Sequence, residues 1–194
     1  MTQEILYNLQ LINQDFFTAF GLFTILYLLL SLSFKKQILH QIDEQSTKFI
    51  SFVGIVYLIL WIVCLIIELN VFNEEDKAQL LHLMFGQYWF GFWTQPLLWF
   101  IITQLLRFRR ISKNILLRLL FSLLLMVSIE RIVIIYTSFH RDYLPSSWAM
   151  SSELGIYPSS FVLTLLIKIL LFLMFVGIFY FLNSKIKRIR MSKA

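Results

Sequence analysis

Five stretches of this chain, Phe16–Phe34, Phe49–Val71, Tyr88–Leu106, Ile115–Phe139 and Ser160–Leu182, are each apolar over roughly the 20 residues that a helix needs to cross a bilayer core. In hydrocarbon the backbone N–H and C=O groups must be satisfied within the chain, so runs of this length are expected to be helical. Composition agrees: 59% of the 194 residues are hydrophobic and 14% are charged, too few charges to cover a soluble domain. The sequence therefore predicts an all-α polytopic membrane protein. No Pro/Ser/Gly linker, repeat or low-complexity block divides residues 1–194, which points to a single bundle of five transmembrane helices.

The charges predict its orientation. Lys35, Lys36 and Lys48 flank the first connection, and Arg107, Arg109, Arg110, Lys113 and Arg118 flank the third. Lys185, Lys187, Arg188, Arg190 and Lys193 follow the last window. The N-terminal side and the second and fourth connections hold Glu4, Asp15, Glu74, Glu75, Asp76, Asp142 and Glu153, with only Lys77 and Arg141 as cations. By the positive-inside rule the N-terminus is expected outside and the C-terminus in the cytoplasm. No cation precedes the first window, so it reads as a retained helix and not a cleaved signal. The second connection is expected to form a short interfacial helix around Glu74–His82. The net charge of +6 arises from these short juxtamembrane groups, a membrane topology signal that gives no reason to expect nucleic acid.

Charged residues inside the apolar windows are the main functional candidates, because unpaired charge at bilayer depth costs several kcal/mol. Glu130, with Arg131 next to it, lies nine residues before Phe139, roughly 13 Å below the outer surface, and Lys168 lies eight residues after Ser160, roughly 12 Å from the same surface. Gln95, eight residues after Gln87, falls at a similar depth. Pro96 beside it removes a backbone donor and is expected to kink the third helix and free the Phe92 carbonyl. Gln95, Glu130, Arg131 and Lys168 are thus expected in one polar layer facing a common interior. Glu68, at the outer end of the second helix, could extend it. The layer has two readings: a network that fixes helix register, or a path for protons or a polar headgroup.

Other chemistry is sparse. Cys64 is the sole cysteine and reads as a packing residue, leaving no disulfide or iron–sulfur ligand set. His40, His82 and His140 are too scattered to grip a haem within the bilayer, and no metal site is expected. Nucleotide-binding, metalloprotease and nucleophile-elbow motifs are absent from the sequence. Tyr88, Trp89, Trp93, Tyr136 and Trp148 near the window ends suit an interfacial belt, although a quinone pocket would also use aromatics beside a few polar groups.

The run Glu130-Arg131-Ile132-Val133-Ile134-Ile135-Tyr136-Thr137-Ser138-Phe139-His140-Arg141-Asp142-Tyr143-Leu144-Pro145-Ser146-Ser147-Trp148 resembles the E-R-F-V-I-(V/I)-x-T-S-(L/F)-x-R-D-(F/Y)-L-P-S-S-W run of NrfD/PsrC-like membrane subunits of alternative complex III. Weaker likeness extends through Tyr88-Trp89, Gln104-Leu105-Leu106, Arg109-Arg110, Asn114 and Phe161-Val162, so nearly the whole chain resembles the C-terminal bundle of that subunit. The family's quinol pocket is generally placed in the other, N-terminal bundle.

The resemblance implies a multi-pass protein of the bacterial inner membrane and a small subunit of a respiratory quinol-oxidising assembly. It would contribute subunit contacts and a proton path, without being an enzyme alone. Its partners would be an iron–sulfur protein, a multihaem cytochrome and a second NrfD-like subunit, with haem and iron–sulfur clusters in those chains. No cofactor would be bound by this chain itself, and quinone would sit at most at a subunit interface. The outer loop with His140, Arg141, Asp142, Tyr143, Pro145 and Trp148 would dock a partner, since it joins charge-assisted donors and acceptors to an aromatic anchor. The rival functions are a catalytically silent scaffold or assembly factor and a small-solute transporter. An inverted repeat would have favoured the transporter, and none is visible.

Overall fold

The computed structural model describes residues 2–33, 37–87, 89–129, 132 and 160–192. Seven helices account for nearly all of them: α1 (Thr2–Ser33), α2 (Gln37–Val71), α3 (Glu74–Phe85), α4 (Trp89–Leu106), α5 (Arg109–Lys113), α6 (Ile115–Met126) and α7 (Phe161–Ser192). No strand occurs among the described residues. Three helices are long and apolar enough to cross a membrane, through Ile5–Ser31 in α1, Gln37–Val71 in α2 and Val162–Ile186 in α7.

The spacing of aromatics on α1 explains why it sits at the centre, packed against α2, α6 and α7. Phe16, Phe20 and Phe23 recur at i, i+4 and i+7 and so share one helix face. All three rings lie against Phe172 of α7, with centroids 6.3, 6.1 and 6.1 Å away. Phe17 points elsewhere, to Tyr57 of α2 at 5.3 Å and Trp99 of α4 at 5.0 Å. Aromatic pairs in tilted and edge-on geometries add to simple burial.

Side-chain pairings fix the helix directions. Tyr27 near the end of α1 reaches His40 near the start of α2, so the two are antiparallel. Along α2, Ser51, Tyr57 and Trp61 meet Thr103, Trp99 and Trp93 of α4 in descending order, which makes that pair antiparallel too. Arg118 and Met126 of α6 lie against Tyr27 and Gly21 of α1, again antiparallel. In contrast α7 runs parallel to α1: Lys168 meets Asp15, whereas residues from Leu173 to Tyr180 share a groove with Ile38–Gln45 at the other end of the bundle.

Small residues and backbone-directed hydrogen bonds join α2 to α4, as is common where no hydrophobic force drives association between apolar helices. The Ser51 hydroxyl donates to the Thr103 carbonyl at 2.8 Å, and the Gln104 side-chain amide donates to the Ser51 carbonyl at 2.9 Å. A β-carbon at Gly54 would overlap the Thr103 side chain. The helix expected around Glu74–His82 is present as α3. Asn73 caps it by accepting from Asp76 N at 2.8 Å, and the Trp93 indole donates to the Met84 carbonyl at 2.9 Å, which ties its end to α4.

Two expectations need correction. The window Ile115–Phe139 does not begin as one uninterrupted helix: α6 ends at Met126, Val127 is extended (φ −86°, ψ 130°), and helical bonding resumes with Ile132 N donating to Ser128 O at 3.2 Å. Gln95 enters the gap, and its Oε1 accepts from Ile129 N at 2.5 Å, satisfying an N–H that the break exposes. The first span does not start at Phe16 either. Helix α1 is already formed from Thr2, so Asp15 lies within the apolar span and is not its outer flank.

Candidate functional site

Of the predicted polar layer, Gln95 and Lys168 lie among the described residues, and each has its own partner. Gln95 is buried on α4, which stays helical through Pro96, and it binds the restart of the chain after α6. Its Nε2 is buried and has no hydrogen-bond partner among the described residues. Lys168 is also largely buried, and its ammonium lies 2.8 Å from Asp15 Oδ1 on α1. Asp15, expected on the outer side, sits inside α1 at the level of Lys168 because α1 begins at Thr2. Glu68 is half-buried near the end of α2, and no hydrogen bond or ion pair among the described residues joins it to Gln95 or Lys168. Glu130 and Arg131 lie outside the described residues, as do His140, Arg141, Asp142, Tyr143, Pro145 and Trp148.

The second buried ionic group was not anticipated. Arg118 of α6 and Asp43 of α2 form a two-pronged pair, Nη1 donating to Oδ2 at 2.7 Å and Nη2 to Oδ1, with side chains only 5% and 7% exposed. The planar guanidinium matches the carboxylate in this geometry. Its Cζ lies 4.9 Å from the centroid of the Tyr27 ring, where the aromatic face favours a cation. The Tyr27 hydroxyl is in turn 3.5 Å from His40 Nδ1. Arg118 had been counted among the flanking cations of the third connection, yet the Asn114 side chain starts α6 by accepting from Leu116 N and Leu117 N, which places Arg118 one turn inside the helix.

Sequence did hold a signal for this pair. Arg118 stands between leucines, apart from the Arg107–Lys113 cluster, and Asp43 is an acid among cations on the side expected to be basic. Together Asp43, Arg118 and Tyr27 form the wall of a cavity of about 690 Å³ between the end of α1, the start of α2, α5 and α6.

Between this cavity and the Gln95 contact lies a series of buried hydroxyls. Thr24, Ser46 and Ser122 are fully buried, and their side-chain oxygens have no hydrogen-bond partner among the described residues. The contacts of α1 with α6 place Thr24 and Ser122 in the interval: Tyr27 meets Arg118 on one side, and Gly21 meets Met126 and the Ser122 carbonyl on the other. Comparison with protein-family models, curated proteins and solved structures finds no match for the chain.

Proposed function

We propose that this chain is an NrfD-like membrane subunit, one helical bundle of a respiratory quinol-oxidising assembly, where it supplies subunit contacts and a route for protons. In this reading it crosses the bacterial inner membrane five times. The three long apolar helices are joined by α4 and by the run that begins with α6, and their alternating directions suit a chain with its N-terminus outside and C-terminus inside. The run from Glu130 to Trp148 gives the family likeness.

The observation that carries the proton-path reading is the break after Met126, capped by Gln95. Non-helical backbone at bilayer depth is tolerated where protein covers it or where it lines a hydrated cavity. Here it immediately precedes Glu130 and Arg131. Gln95 Nε2 and the hydroxyls of Ser122, Thr24 and Ser46, without a partner among the described residues, are the kind of buried groups that ordered water satisfies. A line of such groups can relay protons between the Gln95 level and the Asp43–Arg118 end.

Purification of the tagged chain from its native membranes tests the assembly, with an iron–sulfur protein and a multihaem cytochrome expected to accompany it. Loss of these partners in an Arg141→Ala/Trp148→Ala variant is expected from the docking role of the outer loop. Proton uptake during quinol oxidation by the assembled Glu130→Gln complex tests the path and should fall well below wild type. Recovery of the chain alone would overturn the assembly reading. Normal uptake by Glu130→Gln would instead favour a silent scaffold, a second reading supported by the Lys168–Asp15 and Asp43–Arg118 pairs, which already join α1 to α7 and α2 to α6.

A further inference from the structure

We propose that the cavity between α1, α2, α5 and α6 binds the phosphate of an anionic phospholipid headgroup. Charge pairing supplies the first reason. Of the cations around the cavity, Arg118 is held by Asp43, and Lys48 lies 2.7 Å from Glu44. Arg107, Arg109 and Lys113 also line it, are exposed, and form no ion pair among the described residues, Arg109 acting on Glu44 only at longer range. Arg109 and Lys113 stand four residues apart on α5 and share a face, while Arg107 projects from the turn that precedes it.

The cavity wall is preorganised for an oxyanion. The Asp43–Arg118 pair ties α2 to α6 at the cavity wall and uses the Asp43 carboxylate there. Ser31 and Ser112 on the same wall donate to the carbonyls of Leu28 and Arg109, while the Tyr27 hydroxyl, 3.5 Å from His40 Nδ1, also lines the cavity and can donate to a phosphate oxygen. Arginine is suited to that role because its fork of N–H groups matches two phosphate oxygens at once.

Depth and rim separate a lipid from a free anion. The apolar span of α1 ends at Ser31, which is itself part of the cavity wall, so the cavity lies where hydrocarbon gives way to headgroups. Beside the cations, Phe108, Ile115 and Leu116 are 61%, 62% and 78% exposed. A dissolved phosphate has no use for such a rim, whereas the acyl chains of a lipid would cover it while its headgroup occupies the cavity. Basic pockets between helix ends at a membrane surface recognise anionic lipids by this combination.

The full chain, purified and placed in phosphatidylcholine nanodiscs doped with phosphatidylglycerol, tests the proposal through native mass spectrometry of retained lipid. Wild type should keep phosphatidylglycerol in preference to phosphatidylcholine. Arg109→Gln is expected to weaken that retention roughly fivefold, and Arg107→Gln/Arg109→Gln/Lys113→Gln roughly a hundredfold, from about one factor of five per basic residue. Because all three side chains are exposed, the fold should survive, and an unchanged melting temperature in pure phosphatidylcholine would show it. The triple variant Lys185→Gln/Lys187→Gln/Arg188→Gln removes the same charge from the C-terminal end and should retain the lipid. Equal retention by the cavity variants and wild type would overturn the proposal, as would equal loss in the C-terminal control. Inorganic phosphate that displaces phosphatidylglycerol at matched concentration would overturn the lipid as occupant and assign the cavity to a free anion.

Discussion

Asp43 and Arg118 show how one residue can be costly alone and tolerable in a pair. Removing two charges from water costs several kcal/mol per ion, and the two-pronged contact roughly offsets that only while both partners remain. Arg118→Leu should therefore lower stability by about 3–5 kcal/mol, because it strands the Asp43 carboxylate between α2 and α6. Asp43→Leu/Arg118→Leu should be much milder. Thermal unfolding of the three proteins in one detergent checks this, and a double variant as unstable as the single would show that the pair is not what matters there. At this scale sequence gave the identity of buried charges better than their partners. Lys168 stood out as an intramembrane cation, but Asp15 looked like a surface flank because hydropathy rises only at Phe16, one residue later. Arg118 was obscured by the basic cluster before it. Hydropathy and charge averaged over windows do not say where a helix cap falls, and Asn114 decides which arginine goes inside.

Among the elements, the most consequential local event is the interruption of α6, and it was invisible to a window average. Pro96 drew attention to α4 as the irregular helix, yet the chain leaves helical geometry at Val127–Ser128, in the partner helix. The link between the two is Gln95, whose side chain accepts from Ile129 N at 2.5 Å in place of a backbone carbonyl. Gln95→Leu should cost about 1–3 kcal/mol, the usual penalty for leaving a buried N–H unpaired, whereas Gln95→Glu keeps the acceptor and should cost less. Melting temperatures of the two variants make the comparison, and equal loss would argue against the cap. The α2–α4 crossing was equally hidden, since nothing around Gly54 in sequence marks it as a contact. There the Thr103 side chain occupies the space a β-carbon would need, and Thr103 is itself fixed by its hydroxyl bond to the Phe100 carbonyl at 2.8 Å. Gly54→Val is accordingly expected to lose about 1–3 kcal/mol to overpacking, measurable in the same assay. In contrast the three long apolar helices and α3 were legible, because length, hydropathy and the Asn73 cap are local properties.

For the whole molecule, the arrangement of helix directions bears on how the chain lies in a membrane. Lys168 meets Asp15 at one level, and the lower half of α7 lies beside the start of α2, so α1 and α7 run the same way. Two parallel spanning helices need an odd number of passes between them. Three such passes, α2, α4 and the run starting at α6, meet this with directions that alternate along the chain, α1, α4 and α7 in one sense and α2 and α6 in the other. The proposed five crossings use all of these passes, with α3 on the side of the N-terminus and the Arg107–Lys113 segment on the side of the C-terminus. The positive-inside rule then puts α3 outside. Ala78 is exposed on α3, and Cys64 is the sole native cysteine, so a Cys64→Ala/Ala78→Cys chain carries one reporter at an informative place. A membrane-impermeant maleimide should label it in intact cells stripped of their outer barrier, while a matching cysteine at Ser112, on α5, should react only after the membrane is opened. Labelling of residue 78 only from the cytoplasmic side would invert the orientation, and labelling of 78 and 112 from the same side would remove α4 from the set of spans.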